Sequence, residues 1–397
     1  MATTTTSKET TIVDKPNLKF IYRADVLIND VALEGTSFIG LNESFDILGS
    51  LYPLRILMLS IPATFFDSKA FITNRTVKVK FSLFAGEMTD IPMDDPEYKY
   101  TEKLLYNKEF TGYIDNEFIP LGYDEIQAMK KNEEQPEALY MMRVHLLETI
   151  QNPFVEDVFN TVTNQETQIS DLIVSAFLKC ANTNLSLHID PPTNVTKIPV
   201  NTLIKPMGFL QLLDYIQKSR GMYDHGFNTF IIDKIAYILS KEGVRDKDPT
   251  WIISTPPVTS LNQLSLGYRS GSTDNTIVVD KSAISMNDTK HEYYVNTYSK
   301  IDEEGKVHDP SNKKISNVSL FVDNDELVQS NYNNKNITKR LRDISVTMTD
   351  TYIDFTPTDV FQIETVDFII QKLSIWSYRR IVTPKGATTF VNLFTRT

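Results

Sequence analysis

Residues 169–192, ISDLIVSAFLKCANTNLSLHIDPP, decide how the middle of this chain folds. Ile169, Leu172, Ile173, Ala176, Phe177 and Cys180 recur at i, i+3, i+4, i+7, i+8 and i+11, a single helical stripe that has to be buried. Pro191, Pro192 and Pro199 then forbid helix and hold the chain extended. In the following stretch, 206–241, PMGFLQLLDYIQKSRGMYDHGFNTFIIDKIAYILSK, the residues Phe209, Leu212, Leu213 and Ile216 rebuild a second stripe, with Gly221 placed to cap it. Thr229–Ile232 and Ile235–Leu239 follow as strand-like runs separated only by Asp233-Lys234, the spacing of a two-residue hairpin. No catalytic motif interrupts this succession of helix, extended crossover, helix and hairpin.

On either side of this module the hydrophobic period changes from helical to alternating. Phe20–Ile28 alternates as a half-buried strand, and Val77, Val79, Phe81 and Leu83 alternate with Lys78, Lys80 and Ser82, giving one core face and one wet face. Phe110, Gly112 and Ile114 are expected to open a further strand, and Met142, Val144 and Leu146 close the region. Gly86–Glu102 and Tyr123–Glu137 are polar and are expected to be solvated loops. The first 150 residues are therefore mainly β, a small barrel or sandwich.

The last third is again β. Strands are expected at Thr276–Asp280, Tyr293–Tyr298, Val318–Val322, Ile344–Met348, Thr351–Phe355, Val366–Trp376 and Ala387–Phe394. Asp302–Lys314, rich in Gly, Asp and Lys, has the composition of a hairpin tip, and Asp323–Lys339, with its asparagines, of a loop. Phe110–Ile114 followed by Tyr140–Glu148 is faintly echoed by Val366–Trp376 followed by Thr388–Thr395, so each half of the chain ends on a long hairpin.

The chemistry is mostly exclusion. A chain of 397 residues with 41% hydrophobic content has room for two or three cores, and its formal charge of −11 argues against a nucleic-acid-binding surface, which needs clustered Lys and Arg. No signal peptide and no membrane-spanning helix are expected. The single cysteine, Cys180, lies on the buried stripe and is expected to be a core residue rather than a nucleophile. His145, His188, His225, His291 and His308 are scattered, with no two at metal-ligand spacing. The acids Asp90, Asp94, Asp95 and Glu97 lack the ordered spacing and glycine of a calcium loop. With 14 glycines in all there is neither a phosphate-cradling loop nor a nucleophile elbow. Asp354 and Glu364 are the carboxylates nearest to a glycosidase arrangement, with Tyr223, Tyr237, Tyr268, Tyr293, Tyr294 and Trp376 as possible sugar-stacking rings, though such aromatics are more often core or interface. No catalytic, cofactor-binding or metal residue is assigned.

In the order of its elements the chain resembles the hub subunit of contractile-tail phage baseplates, the family that includes the hub region of type VI secretion spike proteins. The likeness is carried by the two stretches quoted above and by the ending, 354–397, DFTPTDVFQIETVDFIIQKLSIWSYRRIVTPKGATTFVNLFTRT. Thr356-Pro357-Thr358 stands where the family usually has Thr-Pro-Gly. The resemblance implies a mainly β fold with two tube-type β-barrel domains, 13–160 and 246–397, around a central α+β module, 161–245, and a long hairpin insertion near 300–340. It also implies a non-enzymatic homotrimer in the virion tail, without a cofactor or membrane insertion, contacting other baseplate proteins and joining the tail-tube protein to the spike protein. DNA would pass through its channel without specific binding. The alternative kept beside it is a carbohydrate-binding or cell-wall-acting tail protein.

Overall fold

The computed structural model describes residues 19–32, 35–47, 49–64, 75–88, 101–122, 138–148, 158–180, 185–192, 197–220, 222–223, 226–241, 248–255, 276–279, 281–289, 298–301, 307–308, 320–321, 341–349 and 355–396. Over these residues the chain is mainly β, with two α-helices.

The first β region holds β1 (Lys19–Ile28), β2 (Val31–Ala32), β3 (Ser37–Asp46), β4 (Leu54–Pro62), β5 (Thr76–Met88), β6 (Thr101–Ile114), β7 (Ile119–Pro120) and β8 (Leu139–Glu148). Its main strands run β3-β4-β8-β6-β5-β1, each antiparallel to the next. Their inward residues, among them Leu57, Val79, Phe81, Phe110 and Val144, form one core. Phe110, Gly112 and Ile114 close a strand instead of opening one. β5 and β6 run into the tract expected to be a loop and pair there, Gly86 with Glu102. Its polar residues suit the wet face of a long hairpin: Arg23 Nε donates to Glu102 Oε1 at 2.9 Å, with the guanidinium 4.4 Å from the Phe84 ring. β3 and β4 had no alternating signature because apolar residues occupy both faces of β4, and a bulge between Phe38 and Gly40 interrupts β3.

The central module contains β9 (Val158–Val162), β10 (Thr167–Gln168), α1 (Ile169–Cys180), β11 (Ser186–Ile189), β12 (Lys197–Ile198), β13 (Leu203–Gly208), α2 (Phe209–Arg220), β14 (Phe227–Ile232) and β15 (Ile235–Ser240). All six residues of the first stripe and all four of the second are buried in one cluster, as expected. Burial of each large member contributes about 1.5–3 kcal/mol before the entropy of ordering is subtracted. Gly221 lies outside the described residues. The turn Asp233-Lys234 has both residues at positive φ, 54° and 61°, the left-handed pair that matches the twist of a two-residue hairpin. The hairpin is buried on both sides. Ile231, Ala236 and Ile238 face the helices, whereas Phe230, Ile232, Tyr237 and Leu239 pack into the core of the last region.

That last region contains β16 (Trp251–Ser254), β17 (Thr276–Val278), β18 (Ile284–Thr289), β19 (Tyr298–Ile301), β20 (Val307–His308), β21 (Leu320–Phe321), β22 (Leu341–Thr349), β23 (Val360–Glu364), β24 (Ile369–Thr383) and β25 (Gly386–Arg396). The strand expected at Val366–Trp376 starts later and runs further, because Thr365 N donates to Phe368 O at 2.9 Å and turns the chain between β23 and β24. The strand expected at 276–280 ends at Val278. Residues 350–354, most of 302–314, 293–297 and 323–339 lie outside the described residues, so the expected tip, the loop and the strand at 351–355 do too, except for Phe355 and the pair Val307–His308 in β20. In the Thr356-Pro357-Thr358 turn, Asp359 N donates to Thr356 O at 3.0 Å, and neither Pro357 nor Thr358 has a positive φ, so no glycine is required. The Asp359 carboxylate ties the turn down, accepting from Thr356 N at 2.8 Å and from Trp251 Nε1 at 2.9 Å.

Among the described residues one 15-stranded sheet runs through both β regions. The crossing point is β24. One edge pairs with β25, while the other pairs first with β23, over Ile369–Ser374, and then with β3, over Ser377–Val382. The tip of the β24-β25 hairpin consequently belongs to the first region. Val382 and Ala387 are buried in its core, and Tyr22 N of β1 donates to Pro384 O at 3.1 Å, which seats the tip between β3 and β1. Conversely, Phe45 of β3 and Ile47 just beyond it pack in the core of the last region.

Candidate functional site

The most unusual chemistry in the molecule lies where these regions meet. Side chains that point the same way along a strand recur every second residue. The buried row of β3 reads Leu41, Glu43, Phe45; that of β24 reads Tyr378, Arg380, Val382; that of β4 starts with Arg55 before Leu57 and Leu59; and that of β8 ends with Glu148 after Val144 and Leu146. Each row therefore carries one charge at an inward position. The sheet register sets Arg380 opposite Glu43 and Glu43 opposite Arg55. Leu146 is opposite Arg55, so Glu148 stands one inward step further along β8. Across four neighbouring strands the signs alternate: plus, minus, plus, minus.

Arg380 Nη1 donates to Glu43 Oε2 at 3.0 Å, Arg55 Nε to Glu43 Oε1 at 3.1 Å, and Arg55 Nη1 to Glu148 Oε1 at 2.9 Å. The side chains of Glu43, Arg55 and Arg380 are only 3–4% exposed. Tyr378 closes the row by donating its hydroxyl to Glu43 Oε1 at 3.0 Å. Leu41, Leu57 and Val382 on one side belong to the first core, and Phe45 and Tyr378 on the other to the last. The charged row is thus a belt dividing two hydrophobic cores inside one sheet.

The central module docks onto the same belt. Glu148 accepts the backbone N–H groups of the hairpin turn, Asp233 N at 3.0 Å on Oε1 and Lys234 N at 3.1 Å on Oε2. Asp233 adds an ion pair with Lys108 and lies 3.8 Å from Arg55 Nη2. Lys108 Nζ in turn sits 4.5 Å from the centre of the Tyr106 ring. Beside the turn is a cavity of about 300 Å³, lined by Asn107, Lys108, Glu109, Phe110, Glu148, Asp233 and Lys234.

Burial alone would push the Glu43 carboxyl up. The charges of Arg55 and Arg380, helped by the Tyr378 hydroxyl, outweigh it and hold the group below the ordinary carboxylate value. Burial pushes Tyr378 well above the usual phenol value, and the Glu43 charge pushes in the same direction, so the ring keeps the proton that it donates. Arg55 is held well above its usual value because its carboxylate partners outweigh its desolvation. Each carboxylate oxygen of Glu43 and Glu148 already accepts at least one hydrogen bond from these partners. Oppositely paired and shut away from water, these groups are arranged to fix strand positions rather than to move protons.

The residues singled out from sequence do not converge. Cys180 is buried in the helix core. His145 Nε2 lies 3.1 Å from Asp115 and His188 Nε2 3.6 Å from Asp190, in different regions. His308 is in β20; His225 and His291, the acids Asp90, Asp94, Asp95 and Glu97, and Asp354, Tyr268, Tyr293 and Tyr294 lie outside the described residues. Glu364 is half-buried and accepts from Gln362. Tyr223 and Tyr237 are core residues, the role expected of most such aromatics, and the half-buried Trp376 packs edge-on against Phe394 at 5.1 Å. Among the described residues no group of three or more His, Cys, Asp or Glu is placed to hold a metal ion, and no helix is long and apolar enough to cross a membrane. Glu43, Arg55, Glu148 and Arg380 were missed.

No protein-family model matches the chain, and no curated protein does. Its structural neighbours include tail proteins and VgrG-containing complexes. The tail protein from Neisseria meningitidis MC58 is 10% identical, with 94% of this chain and 96% of that one covered at a TM-score of 0.46. The 43 kDa tail protein of prophage MuSo2 from Shewanella oneidensis is 8% identical, covering 94% and 97% at 0.45. A Francisella PdpA-VgrG complex is 9% identical, covering 97% of this chain and 53% of that one at 0.42.

Proposed function

We propose that this chain is a non-enzymatic structural hub of a phage tail baseplate, a homotrimeric ring between tail tube and spike with a channel for DNA. In this reading 13–160 and 246–397 are the two tube-type barrels, so that three subunits present six similar units to a sixfold tube, and 161–245 is the central module between them. The observation that carries it is the sharing of the β24-β25 hairpin, whose base belongs to the last core and whose tip belongs to the first. A part that transmits a mechanical load needs covalent and hydrogen-bonded continuity between its domains, and one strand paired to both supplies it. The chain's formal charge of −11 suits a lumen that does not hold the DNA sliding through it.

Light scattering on the purified native protein tests the reading. The expected mass is three times the 45.4 kDa of the chain. A monomer at assembly concentrations, with its sheet edges left open, would remove the physical basis of a ring. Tyr223 and Tyr237, two of the rings considered for sugar stacking, are spent on the core and so do not favour the carbohydrate alternative.

A further inference from the structure

We infer that Arg55 couples two docking events, seating of the central hairpin turn on Glu148 and seating of β24 on Glu43, so that loosening either one loosens the other. One guanidinium serves both sides. Its Nε holds Glu43 and its Nη1 holds Glu148, with Nη2 beside Asp233. On the far side of Glu148 are the two turn amides, and on the far side of Glu43 are Tyr378 and Arg380.

If the turn leaves, Glu148 loses two of its donors and Arg55 becomes the main partner left to it. The guanidinium is then drawn toward Glu148, and its bond to Glu43 weakens. Glu43 faces two cations in the seated belt, so the balance at Arg380 and Tyr378 changes as well. The reverse sequence runs through the same atoms, and coupling between two equilibria is reciprocal by linkage. The turn at 233–234 and the strand at 377–382 lie in different parts of the chain and share no backbone pairing; besides Arg55 they are joined by ring packing, Phe230 against Phe45 and Phe45 against Tyr378, which neither Glu148→Gln nor Tyr378→Phe removes. The inference stands whether or not the chain is a hub.

Hydrogen–deuterium exchange on the full-length chain decides it. Glu148→Gln keeps the shape of the side chain but removes the charge that accepts from Arg55 and both turn amides. It is expected to raise exchange by about fivefold or more, the lower end of measured couplings, at 231–236 and also at 377–382. Tyr378→Phe, which removes only the hydroxyl on Glu43, is expected to raise exchange at 377–382 and also at 231–236. The α1 amides, in the helix core against the hairpin's other face, are expected to change by much less. Effects confined to each variant's own side would overturn the coupling. So would a rise of equal size at α1, which reports a general loss of stability. Should Glu148→Gln fail to fold, the milder Tyr378→Phe decides the matter through its distant effect alone.

Discussion

The helix pair and the charged belt hold the molecule together by opposite means. In the central module α1 and α2 bury continuous apolar stripes, and each contact is replaceable by another of similar size. At the belt, charges are buried in pairs, and each is tolerable only while its partner is in place. Hydrophobic burial is non-directional and adds up over area, so it fixes that elements pack but only loosely how. A buried ion row gains little net stability, yet it penalises every misplacement of a strand by one register, because the shift turns a charge away from its partner. Stability resides chiefly in hydrophobic cores such as that of the module, and alignment of the three regions in the belt.

The largest effect expected from this contrast is in the module. Phe177 is buried beneath α1 and packs against Phe209, with ring centres 5.7 Å apart. Phe177→Asp places an unpaired carboxylate there and should abolish folding. Soluble mutant protein with an unchanged circular-dichroism melt would show that the stripe is not the module's foundation.

Arg55→Ala attacks the other side of the comparison. It leaves Glu43 and Glu148 buried with a partner missing, a kind of change that typically costs about 3–5 kcal/mol, measurable as a drop in the urea midpoint. The same row has a pH signature. The folded carboxyl of Glu43 titrates below its unfolded value near 4.5, so the stability it contributes is present above that pH and is lost as pH falls through the folded value. Wild-type stability should therefore decline below about pH 4.5, and in Arg55→Ala, whose Glu43 has lost its strongest counter-charge and titrates closer to its unfolded value, that decline should be smaller. Acid profiles of identical shape for the two proteins would mean that Arg55 does not set the state of Glu43.

What the sequence disclosed follows the same division. Stripes at helical spacing and the Asp233-Lys234 hairpin are local patterns, and they appear in the structure where expected. The belt is not local. Glu43, Arg55, Glu148 and Arg380 are brought together by strand order alone, and each by itself resembles an ordinary polar interruption in a strand. One trace was present: each of the four occupies an inward position in step with apolar neighbours, as Arg55 does before Leu57, Leu59 and Ile61. A charge on the core side of a strand implies a partner of opposite sign, although only the register of β3 with β4 and β24 says which. The hairpin shared by two cores was hidden for the same reason, since Val382 and Ala387 look like any other residues of a two-stranded ribbon.

The smallest expected effect tests that sharing directly. Gly40 lies on β3 at the bulge, where an added Cβ would come to 2.9 Å from Val382 O and 3.1 Å from Met58 Cε. The methionine end can swing aside, but the carbonyl is backbone, and moving it means lifting the tip of the β24-β25 hairpin off the first region. Gly40→Ala should cost about 1–3 kcal/mol, the usual penalty for forcing extra volume into a packed site, and lower the melting temperature accordingly. The loss should come with faster amide exchange at 380–388, because the strain enters at the tip and not in the helix module. A variant that melts like the wild type would show that the backbone of the tip does not rest on Gly40.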